Sequence, residues 1–126
     1  MTHSGCIAGV IFEDVTLPDD TIHWFINPAT GEAVGWIPEG GGRVRTYLCF
    51  WGDRKPRLQG SADVARLLKD LEWTGTASQY FSKATAVGPL ATFECADAWA
   101  DNPYKDGVAL LGDTAANNDP TWGQGL

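Results

Sequence analysis

Histidine, paired cysteine, clustered basic residues and long apolar runs are all scarce in this 126-residue chain, and each scarcity removes a class of function. His3 and His23 are the only histidines, so a Ser-His or Cys-His nucleophile pair would have to use one of them. His23 stands just before Trp24-Phe25-Ile26 and reads as a strand-edge residue. Cys6, Cys49 and Cys95 are odd in number, far apart and without a C-x-x-C spacing, which excludes a zinc site and a disulfide framework. The formal charge is −7, with 9 Lys and Arg against 16 Asp and Glu. A surface that tracks nucleic-acid phosphates needs the opposite balance, so no nucleic-acid partner is expected. No apolar run approaches the roughly 20 residues that span a bilayer, and the first residues lack the charged and apolar regions of a secretory signal. A soluble, cytoplasmic protein without a membrane partner is the expectation.

What is present is the composition of a globular unit: 44% hydrophobic residues and no low-complexity tract or internal repeat. The length suits one domain or parts of two. Cys6 to Val15 is apolar and β-branched and ends in the turn cluster Leu17-Pro18-Asp19-Asp20, predicting a strand and a reversal. Ile22 to Asn27 and Ala33 to Ile37 read as a hairpin around Pro28-Ala29-Thr30-Gly31. Arg43 to Trp51 alternates, with Val44, Thr46, Leu48 and Phe50 on one face and Arg45, Tyr47, Cys49 and Trp51 on the other. The triplet Gly40-Gly41-Gly42 before it resembles a phosphate cradle only superficially, because a strand follows where a helix N-terminus is required. A hairpin turn is predicted there, with Arg43 and Arg45 at a solvated strand end.

Beyond a basic loop, Asp53 to Arg57, the period changes. Val64, Leu67, Leu68 and Leu71 mark one stripe of a helix, with Ser61 as its N-cap and Gly75 as its stop. A second short helix is predicted over Ser78 to Ala84, a strand over Pro89 to Phe93, and a fully buried strand over Val108 to Leu111. The expected fold class is α+β: a mixed or antiparallel sheet with helices in residues 1–88, followed in 89–126 by part of a different, parallel sheet. Trp36, Tyr47 and Cys49 are the candidates within the first sheet to face a small organic ligand.

The last buried run is followed by Gly112-Asp113-Thr114-Ala115-Ala116 and then by Pro120-Thr121-Trp122-Gly123-Gln124-Gly125. A glycine at a strand end permits close approach of a ligand, and a carboxylate there is placed to accept hydrogen bonds from vicinal hydroxyls. A Pro-x-x-Gly-x-Gly segment then turns the chain into a helix whose first N–H groups face an anionic or electron-rich group. Together these two strings resemble the Gly-Asp motif of the group A FAD-dependent monooxygenases, the para-hydroxybenzoate hydroxylase-like family. Thr114 and Ala116 depart from it, standing where an alanine and, in many members, a histidine are usual.

The resemblance implies FAD as cofactor, with Gly112 and Asp113 at its ribose and Pro120, Gly123, Gln124 and Gly125 beside the pyrophosphate and the ring. It also implies NADH or NADPH as reductant and transfer of one atom of O2 to a small aromatic substrate, residues 1–88 being the family's middle, substrate-binding portion. The family's opening Gly-x-Gly-x-x-Gly turn has no match in this chain, so a fragment truncated at both ends is expected. Two other readings compete: an FAD-dependent reductase or halogenase, and a stand-alone α+β ligand-binding module without flavin. The residues fix no metal, no catalytic group and no oligomeric state.

Overall fold

The fold follows from one alternating pattern meeting one helical stripe. A computed structural model describes residues 5–51 and 55–117. β1 (Gly5–Glu13), β2 (His23–Asn27), β3 (Glu32–Gly40), β4 (Arg43–Trp51) and β5 (Thr85–Cys95) form one sheet in the order β2-β3-β4-β1-β5. Every neighbouring pair in it is antiparallel. Gly31, at φ +70°, closes the β2–β3 hairpin by donating its N–H to the Asn27 carbonyl at 2.8 Å. The glycine triplet closes the β3–β4 hairpin, as its sequence predicts, and the chain after β1 ties back to it: Val15 N–H donates to the Gly42 carbonyl at 3.1 Å.

α1 (Val64–Asp70) and α2 (Ala77–Phe81) cover one face of the sheet. Leu67 and Leu71 of the predicted stripe are fully buried there, with Val64 and Leu68 packed beside them. They meet Cys6, Ala8, Val10 and Phe12 of β1, Val34 and Trp36 of β3, and Val44, Leu48 and Phe50 of β4. Phe12 stands edge-on to Phe81 at 5.5 Å between centroids. Gly75 is a left-handed C-cap at φ +76°, but Ser61 does not cap α1. It opens a 3₁₀ turn, Ser61–Asp63, and the Asp63 carboxylate instead accepts the Gln59 N–H at 2.8 Å. The second helix is shorter than predicted because Ala84 N–H reaches only to the Phe81 carbonyl, a tight turn that ends it.

Two expectations need correction. The strand predicted over Pro89 to Phe93 runs from Thr85 to Cys95 and pairs with β1, so residues 89–95 complete the first sheet. Val108 to Leu111 is not a buried parallel strand. β8 (Val108–Ala109) pairs antiparallel with β7 (Tyr104–Lys105) in an exposed hairpin, and Val108 and Leu111 are 67% and 80% exposed. A buried parallel strand needs neighbours on both edges and layers on both faces, and the described residues supply neither. A second small pairing joins β6 (Ala98–Trp99) to β9 (Ala116–Asn117). The architecture is compatible with the α+β class, with more antiparallel sheet and less helix than expected. Among the described residues no helix is long and apolar enough to cross a membrane.

Candidate functional site

The alternation of β4 puts Val44, Thr46, Leu48 and Phe50 under the helices and leaves Arg45, Tyr47 and Cys49 on the opposite face. Trp36 and Tyr47 therefore lie on opposite sides of the sheet. Trp36 is fully buried against Phe25, Phe81, Tyr80 and His23, with ring centroids 4.7–6.1 Å away. Its indole Nε1 and the Oγ1 of its cross-strand partner Thr46 are buried without hydrogen-bond partners among the described residues. Tyr47 and Cys49 stay together on the open face, so two of the three sequence candidates share a surface and the third is in the core.

That open face is apolar. Trp24, Ile26, Trp51 and Phe93 are 38–66% exposed, and the strand registers place them beside Ile7, Ile11 and Ile37. One rung runs straight across the sheet: Trp24 opposite Gly35, Gly35 opposite Tyr47, Tyr47 opposite Gly9, and Gly9 opposite Ala91. Both aromatic rings lean onto the neighbouring glycine. A Cβ at Gly35 would come within 2.0 Å of the Trp24 ring, and one at Gly9 within 3.1 Å of the Tyr47 ring. The period of β4 was sufficient to group Arg45 with Tyr47 and Cys49. Trp24, Gly9 and Gly35 could not be found that way, because their roles depend on inter-strand register, which a single strand's alternation does not set.

The charged groups of this face sit at one end of it. Arg43 pairs with Glu13 at 3.0 Å and Arg45 Nε with Glu39 Oε1 at 2.7 Å. The Arg45 pKa is raised, chiefly by the hydrogen bond to Glu39, with a smaller opposing effect of burial and a further rise from Tyr47. On the helix side a second group of charges ties the layers together. Lys55 Nζ lies 2.5 Å from Glu32 Oε1 and 3.4 Å from Asp70 Oδ2, and Glu32 is only 8% exposed. No group of three or more metal-ligating side chains exists among the described residues.

Gly112 and Asp113 fall in a 3₁₀ turn, Gly112–Thr114, that follows the extended Leu111. Gly112 takes φ +59°, and the Thr114 hydroxyl donates to the Leu111 carbonyl at 2.5 Å, closing the turn. Asp113 is exposed, and among the described residues its carboxylate accepts no hydrogen bond. Pro120, Gly123, Gln124 and Gly125 lie outside the described residues.

No protein-family model matches the sequence, and no curated protein matches it. Solved structures do share its fold. CmlS, a flavin-dependent halogenase, superposes with a TM-score of 0.59 at 18% identity, over 98% of this chain and 23% of its own. PqsL of Pseudomonas aeruginosa, described as a probable FAD-dependent monooxygenase, gives a TM-score of 0.58 at 17% identity, over 99% and 35%. PqsL in complex with 2-aminobenzoylacetate gives 0.59 at 18%, over 99% and 34%. This chain thus has the fold of a portion of FAD-dependent oxidoreductases, and it spans only a quarter to a third of the length of these proteins.

Proposed function

We propose that this chain is the substrate-covering portion of an FAD-dependent monooxygenase, with the open face of its five-stranded sheet turned toward a small aromatic substrate. The observation that carries this reading is the likeness of nearly the whole chain to one portion of three flavoenzyme structures. The Gly112-Asp113 turn supports it from the sequence side. In this reading Asp113 would hold the ribose of FAD, and Pro120, Gly123, Gln124 and Gly125 would lie beside its pyrophosphate and ring. The flavin, reduced by NADH or NADPH, would supply activation of O2 and oxygen transfer. The chain's own residues would orient the substrate and keep water from the ring: Tyr47 and Cys49 from the open face, with Trp36 supporting that sheet from the core. One neighbour binds 2-aminobenzoylacetate, an aromatic compound, which agrees with an aromatic substrate here.

The halogenase reading is favoured by one specific observation, the likeness to CmlS. Halide-dependent product formation would support it, and hydroxylation without halide would support the monooxygenase. The division of labour proposed here places most pyrophosphate donors outside this chain. Titration of FAD into the 126-residue chain, followed by flavin fluorescence, should show no saturable binding tighter than about 1 μM, a binding free energy near −8 kcal/mol. Tighter saturable binding would contradict it.

A further inference from the structure

We infer that the free edge of β2 is a self-association site, at which a second copy of this chain adds its own β2 antiparallel and joins the two five-stranded sheets into one. This goes beyond the proposed function, and it leaves the open face of each sheet uncovered.

The two edges of the sheet are built differently. Along the β5 edge, residues 58–60 already occupy the pairing groups. Gly60 N–H donates to the Leu90 carbonyl at 2.8 Å, Leu58 N–H donates to Thr92 Oγ1 at 3.0 Å, and the Thr92 hydroxyl donates to the Leu58 carbonyl at 2.8 Å. Pro89, Glu94 and the register shift opposite Gly9 to Ile11 are further obstacles to pairing there. β2 has none of these devices. Its five residues, His23 to Asn27, include no Asp, Glu, Lys, Arg or Pro, and its register with β3 runs unbroken. Among the described residues the backbone of residues 23–26 bonds only to β3. An extended edge left in this way offers a row of N–H and C=O groups to another strand.

The sequence of β2 selects its own copy as that strand. A two-fold axis through Phe25 sets Phe25 opposite Phe25, Trp24 opposite Ile26 and His23 opposite Asn27 of the second copy. Each residue then meets one of the same parity, so both strands turn the same alternate amides toward each other, as an antiparallel ladder requires. An axis on Trp24 or Ile26 would engage only three residues of each strand. On the open-face side Trp24 and Ile26 are 38% and 59% exposed, and they cover each other across the axis; Ile22, 64% exposed, flanks them. Aromatic and β-branched residues in direct opposition are the pairs that stabilise a sheet. No like charges meet, because Asp20 is the only charged residue from 20 to 30 and falls opposite Thr30. A five-residue edge is smaller than the roughly 800 Å² per partner of a stable complex. The dimer is therefore reversible, with a dissociation constant on the order of 100 μM.

Sedimentation equilibrium of the 126-residue chain from about 5 to about 500 μM tests this, together with amide chemical shifts of the ¹⁵N-labelled chain over the same range. The mass should rise toward that of a dimer, and the concentration-dependent shifts should centre on residues 23–27, with residues 85–95 unchanged. Ile26→Glu, at an exposed position, sets a carboxylate against the Trp24 ring of the second copy at both ends of the pairing. It should weaken dimerisation about tenfold or more. Phe93→Glu, at a similarly exposed position on the far edge strand, should leave dimerisation unchanged. A monomer at every concentration, shifts centred on other residues, or a dimer indifferent to Ile26→Glu would overturn the inference. Loss of the dimer in Phe93→Glu would overturn it too, by assigning the interface to the open faces. The dilution shifts of the unaltered chain need no variant, so they decide the matter even where a substitution disturbs the fold.

Discussion

Gly31 shows how a single position carries the hairpin that presents Trp24. Its φ of +70° lies where any Cβ is strained, and a Cβ there would also come within 2.8 Å of Trp51 Nε1. Gly31→Ala should therefore cost about 1–2 kcal/mol in urea denaturation. Lys55 is the corresponding ionic position, holding nearly buried Glu32 and Asp70 between the β2–β3 hairpin and α1. Lys55→Met leaves the Glu32 carboxylate without its cation and should destabilise by roughly 2 kcal/mol. Removing the exposed Arg57–Glu94 pair, 3.4 Å apart, by Arg57→Gln should change stability by less than about 0.5 kcal/mol. Comparable losses at the two positions would mean that partial burial does not set the difference.

At the scale of elements, the helical stripe and the exposed C-terminal hairpin make opposite predictions for the same kind of residue. Leu71 is fully buried beneath the helices, and Leu71→Ala should cost about 3 kcal/mol by the lost burial and the cavity left behind. Leu111 is 80% exposed, and Leu111→Ser should change stability by less than about 0.5 kcal/mol in this chain. Thermal melts of the two variants compare them directly. The contrast also explains what the sequence made legible. Two-residue alternation in β4 and the 64, 67, 68, 71 stripe each report a half-buried surface, and the elements follow from local pattern alone. The run Val108-Ala109-Leu110-Leu111 carries no such period. Four successive apolar residues indicate what a segment can bury against, not whether that partner is in the same chain. The long β5 was missed in its first residues because Gly88 and Pro89 interrupt its pattern, while the sheet absorbs them in a register shift opposite Gly9 to Ile11.

For the whole molecule, the sheet buries one face and leaves the other, and the 98–111 segment, open. Trp99, Tyr104, Val108 and Leu111 are 67–80% exposed, so apolar surface continues beyond the open sheet face. Their exposure agrees with a chain that occupies a quarter to a third of the flavoenzymes whose fold it shares. Of the candidate site, the turn at Gly112-Asp113 and the shared face of Tyr47 and Cys49 were legible as positions, from motif and period. The aromatic row on Gly9 and Gly35 comes from register, and the core position of Trp36 from the side of the sheet the helices choose.

The proposal that this chain is the substrate-covering portion of a flavoenzyme is tested most directly by sequencing the coding DNA on both sides of its reading frame. The account predicts an in-frame upstream strand, Gly-x-Gly-x-x-Gly turn and helix, and a helical continuation beyond Leu126. Start and stop codons bounding Met1 and Leu126, without such neighbours, would contradict it and leave a stand-alone ligand-binding module.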